Sequence, residues 1–183
     1  MQSLSGHLLV ASPRLPDENF YRTVVLIIHH DEQGAIGVVL NRPTDSTVRE
    51  VWESLSDEPC ESDEPVNLGG PVSGPLMAIH TNAACSENEI LPGVFFATHR
   101  DRLNQIVREP DLPFRIYNGY SGWAPGQLEN ELKFGGWMVM PATFDYVFGD
   151  PDTMWRKASQ EIGEQITTEL LHDVPMPDDP SCN

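Results

Sequence analysis

The residues with the most chemical potential lie in one stretch, Asn118-Gly119-Tyr120-Ser121-Gly122-Trp123-Ala124-Pro125-Gly126-Gln127-Leu128-Glu129. It reads as a strand end passing through a tight turn into a helix. If Pro125 takes the first helical position, as its fixed φ favours, Ala124 becomes the cap and has no side-chain oxygen to offer. The N–H groups of Gly126, Gln127 and Leu128 then stay open at the positive end of the helix dipole, where a carboxylate, a phosphate or the Ser121 hydroxyl can meet them. Tyr120 and Trp123 flank that entrance. A plainer reading competes: Ser121 or Glu129 fills the donors, the glycines make the turn, and the aromatics are core. A hydrolytic reading starts from Gly119-Tyr120-Ser121-Gly122-Trp123, which matches the G-x-S-x-G nucleophile elbow except for Trp123 in place of the last Gly. That chemistry needs an acid and then a His downstream, and the one downstream His is His172, beside the tail.

Four other groups invite the same question. His80, at a strand end before Thr81-Asn82, has the residue type of a general base, although a lone His is more often hydrogen-bonded structure. His29 and His30 are neighbours on a strand, point to opposite faces and so cannot share a metal; no metal site is expected. Arg42, in Asn41-Arg42-Pro43, is a fork for an anion, with a surface ion pair as its commoner fate. Gly69-Gly70-Pro71 can expose amides as a nest, but it lacks the G-K-[ST] end of a phosphate loop and reads first as a turn.

The elements that must position these residues follow from pattern. Leu8 to Ala11 is a first strand. Thr23 to His30 and Ala35 to Asn41 are β-rich runs joined by Asp31-Glu32-Gln33-Gly34, with Gly34 able to take positive φ at the end of a four-residue loop. Both runs are apolar at odd and even positions, so the hairpin must be central in a sheet and covered on both faces. Thr47-Val48-Arg49-Glu50 fits a capping box opening a helix through Leu55, with Val48, Val51, Trp52 and Leu55 on one face. Asp57 to Glu64 reads as a solvated acidic loop. Short strands are expected at Val66–Leu68, Leu76–His80, Val94–Ala97, Phe114–Tyr117 and Trp137–Met140. Thr98 is placed to cap a helix Arg100–Glu109 with Leu103, Ile106 and Val107 inward. Thr143 to Phe148 supplies a helical turn or two. Asp152 to Leu171 is the longest helical pattern, with Trp155, Ala158, Ile162 and Ile166 at helical spacing. Because the first two long strands form a hairpin and not a crossover, the fold class is α+β, with a mixed, largely antiparallel sheet flanked by helices. One domain over residues 1–165 is expected, followed by the helix end and an acidic, Pro-rich tail over 166–183.

The bulk composition narrows the function classes. The 183 residues carry 11 Lys and Arg against 28 Asp and Glu, a formal charge of −17. Such a surface repels phosphate backbones, so direct nucleic-acid binding is not expected. Nine of the 11 cations are Arg, which makes each one worth placing. Cys60, Cys85 and Cys182 stand in three unrelated contexts with no C-x-x-C spacing, arguing against a disulfide framework or a structural zinc site and for a reducing compartment. The start of the chain has no basic segment before its apolar residues, and the longest strongly apolar run, Val24 to Ile28, is far below the roughly 18 residues of a membrane span. A cytoplasmic protein is expected, with no cofactor implied.

The ordered motifs resemble one known family. H-x-x-x-G-A-x-G-x-x-x-N-[RK]-P (His30 to Pro43), G-G-P-V (Gly69 to Val72), the terminal I-H (Ile79, His80) and G-Y-S-G-W-x-P-G-Q-L-E-x-E (Gly119 to Glu131) are similar to the AlgH/YqgE family of bacterial proteins. The likeness extends from about Leu8 to Gly163, taking in Phe20 to Val24, Trp137, Pro141, Phe148 and Trp155. It implies a single α+β domain whose sheet bends into a partial barrel. It implies little about activity: the family is functionally uncharacterised, and its frequent label of transcriptional regulator rests on an association with alginate gene control, without a recognised DNA-binding motif. Matching positions, as candidate ligand-binding residues, are Asn41, Arg42, Gly69, Gly70, His80, Tyr120, Trp123, Gly126, Gln127 and Glu129, to which the elbow comparison adds Ser121. His29 stands where many relatives carry an acidic residue.

The leading expectation is therefore a ligand-binding or regulatory protein that holds a small anionic or nucleotide-like molecule at the Trp123 to Gln127 entrance, together with Arg42. Three alternatives remain: a hydrolase using Ser121 or His80, a protein-interaction module, and a direct DNA-binding regulator. The last has little to stand on, since the helix from Arg100 carries Arg100, Arg102 and Arg108 but also Asp101 and Glu109.

Overall fold

The computed structural model describes residues 2–15, 17–55, 60–109 and 111–172, with side chains through residue 168. Of the acidic loop read at Asp57 to Glu64, residues 57–59 lie outside the described residues, as does the tail at 173–183; within its described part Cys60 and Ser62 are buried, Cys60 in a hydrophobic core, so that part is not wholly solvated. The chain opens with β1 (His7–Ala11) and the hairpin β2 (Val24–Asp31) and β3 (Gly34–Val39). Asp31 pairs directly with Gly34, so the loop is two residues and not the four expected; Gly34 does take positive φ, at 126°. Next come β4 (Pro43–Thr47), α1 (Val48–Leu55), β5 (Pro65–Leu68), β6 (Met77–His80), β7 (Asn88–Leu91), β8 (Val94–Ala97) and α2 (Arg100–Val107). The last third holds β9 (Phe114–Asn118), β10 (Ser121–Trp123), α3 (Gln127–Lys133), β11 (Trp137–Pro141), α4 (Phe144–Val147) and α5 (Pro151–His172).

The strands form two sheets, not one. The five-stranded sheet has the order β10-β3-β2-β1-β11 and the six-stranded sheet the order β4-β5-β9-β6-β8-β7. Only β5 and β9 pair in parallel among the described strands, so both sheets are antiparallel-dominated and curl without closing into a barrel. The hairpin is central, and its base, Val24 to Ile28 with Val38 and Val39, is covered on both faces as expected; toward the loop His29, Asp31 and Ile36 are exposed. Leu8, Val10, Val24, Leu26, Ile28 and Val38 join Met77, Ile79, Val94 and Tyr117 of the other sheet, with Met154, Ala158 and Ile162 of α5, in the largest core. Leu9, Val25, Ile27 and Val39 face the other way, onto Trp123, Leu128 and Trp137. A third core puts α1 and α2 against the outer face of the six-stranded sheet through Val48, Trp52, Leu103, Ile106 and Val107.

Local signals account for several helix ends. The capping box of α1 is made in both directions: the Thr47 N–H donates to Glu50 Oε2 at 2.9 Å and the Glu50 N–H to Thr47 Oγ1 at 3.2 Å. Leu55 is nevertheless exposed, beyond the reach of the sheet. At α2 the expected Thr98 cap is replaced. Glu87 accepts the N–H groups of Thr98 and His99 at 2.9 and 2.7 Å and the Thr98 hydroxyl at 3.0 Å. These bonds outweigh the effect of burial, which is the largest single influence and would raise its pKa, and hold the Glu87 carboxyl below its usual range. On α5, Ala158 and Ile162 are buried but Ile166 is half exposed, because the helix runs past the edge of the domain.

Candidate functional site

The entrance singled out from sequence is built differently from its expectation. Ser121 to Trp123 do not lead into a helix; they form β10 on the edge of the five-stranded sheet, pairing with Gly37, Ile36 and Ala35. Pro125 precedes the helix instead of opening it. Gly126 is the cap, in the left-handed conformation at φ 74°, and α3 starts at Gln127. The Gln127 N–H donates to the Ala124 carbonyl at 3.0 Å, and Gln127 Oε1 accepts the Ala124 N–H at 3.0 Å. The carboxyl of Glu129 is held below its usual range, first by its own backbone N–H and then by His30. The entrance thus spends much of its donor capacity on itself, with carboxylates beside it.

Those carboxylates organise an aromatic cluster. Glu131 Oε2 accepts both indole N–H groups, from Trp123 at 2.9 Å and Trp137 at 2.8 Å, while Oε1 accepts Gln127 Nε2 at 2.9 Å. The two indoles meet edge to face at 6.1 Å, and Phe20 packs on both, at 6.1 and 5.2 Å. Glu129 binds His30 Nε2 at 3.0 Å, whose other nitrogen accepts the Leu4 N–H at 3.0 Å. With Nδ1 accepting, Nε2 is the nitrogen that donates to Glu129. A bulge at Ile28, between the pairs Ile27–Gly37 and His29–Ile36, turns His30 toward α3. His29 stays exposed and pairs with Asp31 at 2.9 Å.

Beside this cluster opens a cleft of about 650 Å³, lined by Ser12, Arg14, Leu15, Asp17, Glu18 and Phe20 on one side and by Glu131, Phe134, Gly135, Gly136 and Trp137 on the other. Phe134 is 91% exposed at its rim. Asp17, Glu18 and Glu131 outnumber Arg14, so the cleft has an aromatic floor and a negative wall. Glu131, Phe20 and Trp137 were within the matched motifs but outside the candidate residues. Their signal was an acidic residue at helical spacing from Gln127, whose two indole partners only the fold assembles.

The other candidates do not converge there. Trp123 pairs with Ala35 near the start of β3, whereas Arg42 follows the other end of that strand, about 13 Å along it from Ala35 to Val39. Arg42 donates to the Tyr21 carbonyl at 2.9 Å, and Asn41 bridges the Arg22 carbonyl and the Val24 N–H, both at 2.9 Å. Gly69 and Gly70 serve a chain crossing: a Cβ at Gly69 would lie 2.2 Å from the Gly119 oxygen, and one at Gly70 would lie 2.4 Å from the Tyr120 carbonyl. Val72 and Tyr120 exchange both backbone hydrogen bonds at this crossing, and the Tyr120 ring lies against Gly74 and Gly122. Ser121 is fully buried and donates its hydroxyl to the Gly69 carbonyl at 3.1 Å, out of reach of a substrate. His80 sits on the six-stranded sheet, 1% exposed, 6.0 Å from the Phe95 ring, with neither ring nitrogen hydrogen-bonded. Burial pushes its pKa down to about 4, against a smaller opposing pull from Glu87. No group of three or more potential metal ligands occurs among the described residues.

An α+β domain of two curled sheets with an aromatic-acidic cleft on one outer face is the class this geometry defines. The family model described as DUF179, AlgH-like, matches residues 8–167. A UPF0301 protein of Streptomyces avermitilis is 39% identical, with 100% of this chain and 97% of the relative covered, and one of Myxococcus xanthus is 35% identical over 89% and 93%. The solution structure of the AlgH protein from Pseudomonas aeruginosa aligns with a TM-score of 0.73 at 30% identity, covering 97% of each chain. A crystal structure of a Corynebacterium diphtheriae protein, at 24% identity and a TM-score of 0.68, shares the fold. The chain belongs to the AlgH-like UPF0301 family. Among the described residues no helix is long and apolar enough to cross a membrane.

Proposed function

We propose that this chain is a cytoplasmic ligand-binding protein with a regulatory role and no direct contact with duplex DNA, its guest lying in the cleft beside Glu131. The observation that carries this reading is the cleft itself, about 650 Å³ with Phe20 and Trp137 in its walls and Phe134 left 91% exposed. That volume falls within the usual range of small-molecule sites. Three carboxylates against one Arg favour a guest with a flat apolar body and a positive group, since the cation would meet both carboxylates and ring faces. Arg100 and Arg102, the cations expected of a recognition helix, instead donate to the Leu55 and Ala84 carbonyls. A hydrolytic role for Ser121 or His80 has no support in their surroundings, one a buried strand hydroxyl and the other a buried ring on the opposite sheet.

A thermal-shift and calorimetric screen with aromatic amines and guanidines tests the reading. A rise in unfolding midpoint is expected for wild type and should be lost in Phe134→Ala and in the double variant Asp17→Asn, Glu18→Gln, whose own midpoints change little because Phe134 and Glu18 are exposed and Asn at 17 keeps an acceptor for the Asn19 N–H. No response in wild type, or an equal response in the variants, refutes it.

A further inference from the structure

Arg22 is the only described residue other than glycine with positive φ, at 53°. Glycine, and to a lesser degree Asn and Asp, occupies that region without much strain; a long side chain there is uncommon and asks for a reason. The surrounding structure enforces the conformation. Asn41 Nδ2 holds the Arg22 carbonyl, Asn41 Oδ1 holds the Val24 N–H, and Arg42 Nη2 holds the Tyr21 carbonyl, each at 2.9 Å. The Arg22 guanidinium then lies 5.0 Å from the Tyr21 ring centre and 5.3 Å from that of Trp155, while Trp155 is anchored through its N–H to the Ala11 carbonyl at 2.8 Å.

What this corner lacks is equally informative. The chain has 28 carboxylate residues, yet none forms a salt bridge with Arg22, Arg42 or Arg115 among the described residues. Arg115, on β9, donates to the carbonyls of Leu40, the residue before Asn41, and of Gly149. Arg22 and Arg42 are thus held in place by ring faces and a backbone carbonyl without a salt bridge, whereas Arg115 lies within electrostatic reach of Asp150. A guanidinium oriented by ring stacking presents its fork of donors without paying for orientation when a ligand arrives, and that fork matches the oxygens of a phosphate. Tyr21, 56% exposed beside it, offers a ring face to a flat group attached to that phosphate.

We propose that Arg22 and Arg42, with Tyr21, form a binding site for a small phosphate-bearing molecule. The site is separate from the cleft: Phe20 turns toward Trp123 and Trp137, whereas Arg22 turns toward Trp155 on α5. The backbone clamped at positive φ is what turns that guanidinium toward Tyr21 and Trp155.

The test uses the full chain with inorganic phosphate, pyrophosphate and ADP as probes, read by calorimetry and by Trp fluorescence. Two variants remove charge while sparing structure. Arg22→Asn suits a left-handed φ, and Arg42→Gln keeps an N–H donor for the Tyr21 carbonyl. Wild type is expected to bind pyrophosphate or ADP, each variant to weaken binding about tenfold or more, and the Arg22→Asn midpoint without probe to stay level or rise. Tighter binding of ADP than of pyrophosphate assigns Tyr21 to the base; equal binding leaves the phosphate as the whole ligand. The cleft variant Phe134→Ala should bind the probes as wild type does, so that failure here and failure of the cleft reading are told apart. Absence of binding by wild type at millimolar probe, or binding unchanged in both Arg variants, overturns the proposal.

Discussion

Removing the Glu131 carboxylate tests whether one acid organises the aromatic cluster. In Glu131→Ala the buried indole N–H groups of Trp123 and Trp137, 5% and 4% exposed, lose their shared acceptor, and Gln127 loses its partner. A buried donor left unmade costs about 1–3 kcal/mol. Glu131 lines the open cleft, so water can enter beside both indoles and the lower end applies, about 1 kcal/mol for each and about 2–3 kcal/mol in all. For a chain of this length that lowers the midpoint by roughly 4–12 °C. Glu131→Gln keeps one carbonyl oxygen for the indoles but turns donors toward Gln127 Nε2 or the rings, and should cost about 1 kcal/mol. Urea unfolding followed by Trp fluorescence and circular dichroism measures these differences. A cycle with Trp137→Phe isolates the coupling, because Phe has no N–H to strand. The double variant should be more stable than the sum of the single losses predicts. Glu131→Ala within about 0.5 kcal/mol of wild type, or full additivity in the cycle, would refute the reasoning.

Two further predictions concern residues first singled out for chemistry. His80 has a folded pKa of about 4 against 6.5 for an unperturbed His, so between these values the unfolded chain binds the extra proton and stability falls on acidification. The loss should be on the order of 2–3 kcal/mol from pH 6.5 to 4, and pH-dependent unfolding of His80→Leu should lack that component while keeping the carboxylate losses at lower pH. An unchanged pH slope in the variant would show that His80 is not the group responsible. At Gly70 an added Cβ meets the Tyr120 carbonyl carbon and the Ser121 nitrogen at 2.4 and 2.5 Å, so Gly70→Ala should cost roughly 3 kcal/mol or more. Gly126→Ala, also at positive φ but with nothing within 4 Å, should cost only about 1 kcal/mol; equal costs in chemical denaturation would contradict the crossing argument.

The sequence by itself determined the parts governed by short-range chemistry. The hairpin of β2 and β3 was legible because apolar residues at both odd and even positions over Val24 to Ile28 leave no wet face there, and the α1 capping box because its four residues complete their own hydrogen bonds. The helix pattern of α5 was legible for the same local reason. The family motifs were legible too, although their residues turned out to serve several tasks: Gly69 and Gly70 a chain crossing, Asn41 and Arg42 a loop clamp, Trp123 an aromatic cluster. What escaped was everything settled by a partner far along the chain. β4 is polar and exposed apart from a half-buried Thr47, β10 has three residues, and each is a strand only because an edge accepts it. The Glu87 cap on α2 comes from 12 residues before His99, and the Glu131 cluster joins Phe20 to Trp137. Tertiary structure alone decided that the donors ahead of α3 are partly met within the chain, that a cleft opens beside them, and that the one strained Arg lies at the other end of the hairpin. Hydrogen-bond satisfaction and charge balance are sums over neighbours in space, and residues more than a few positions apart enter those sums only once the chain has folded.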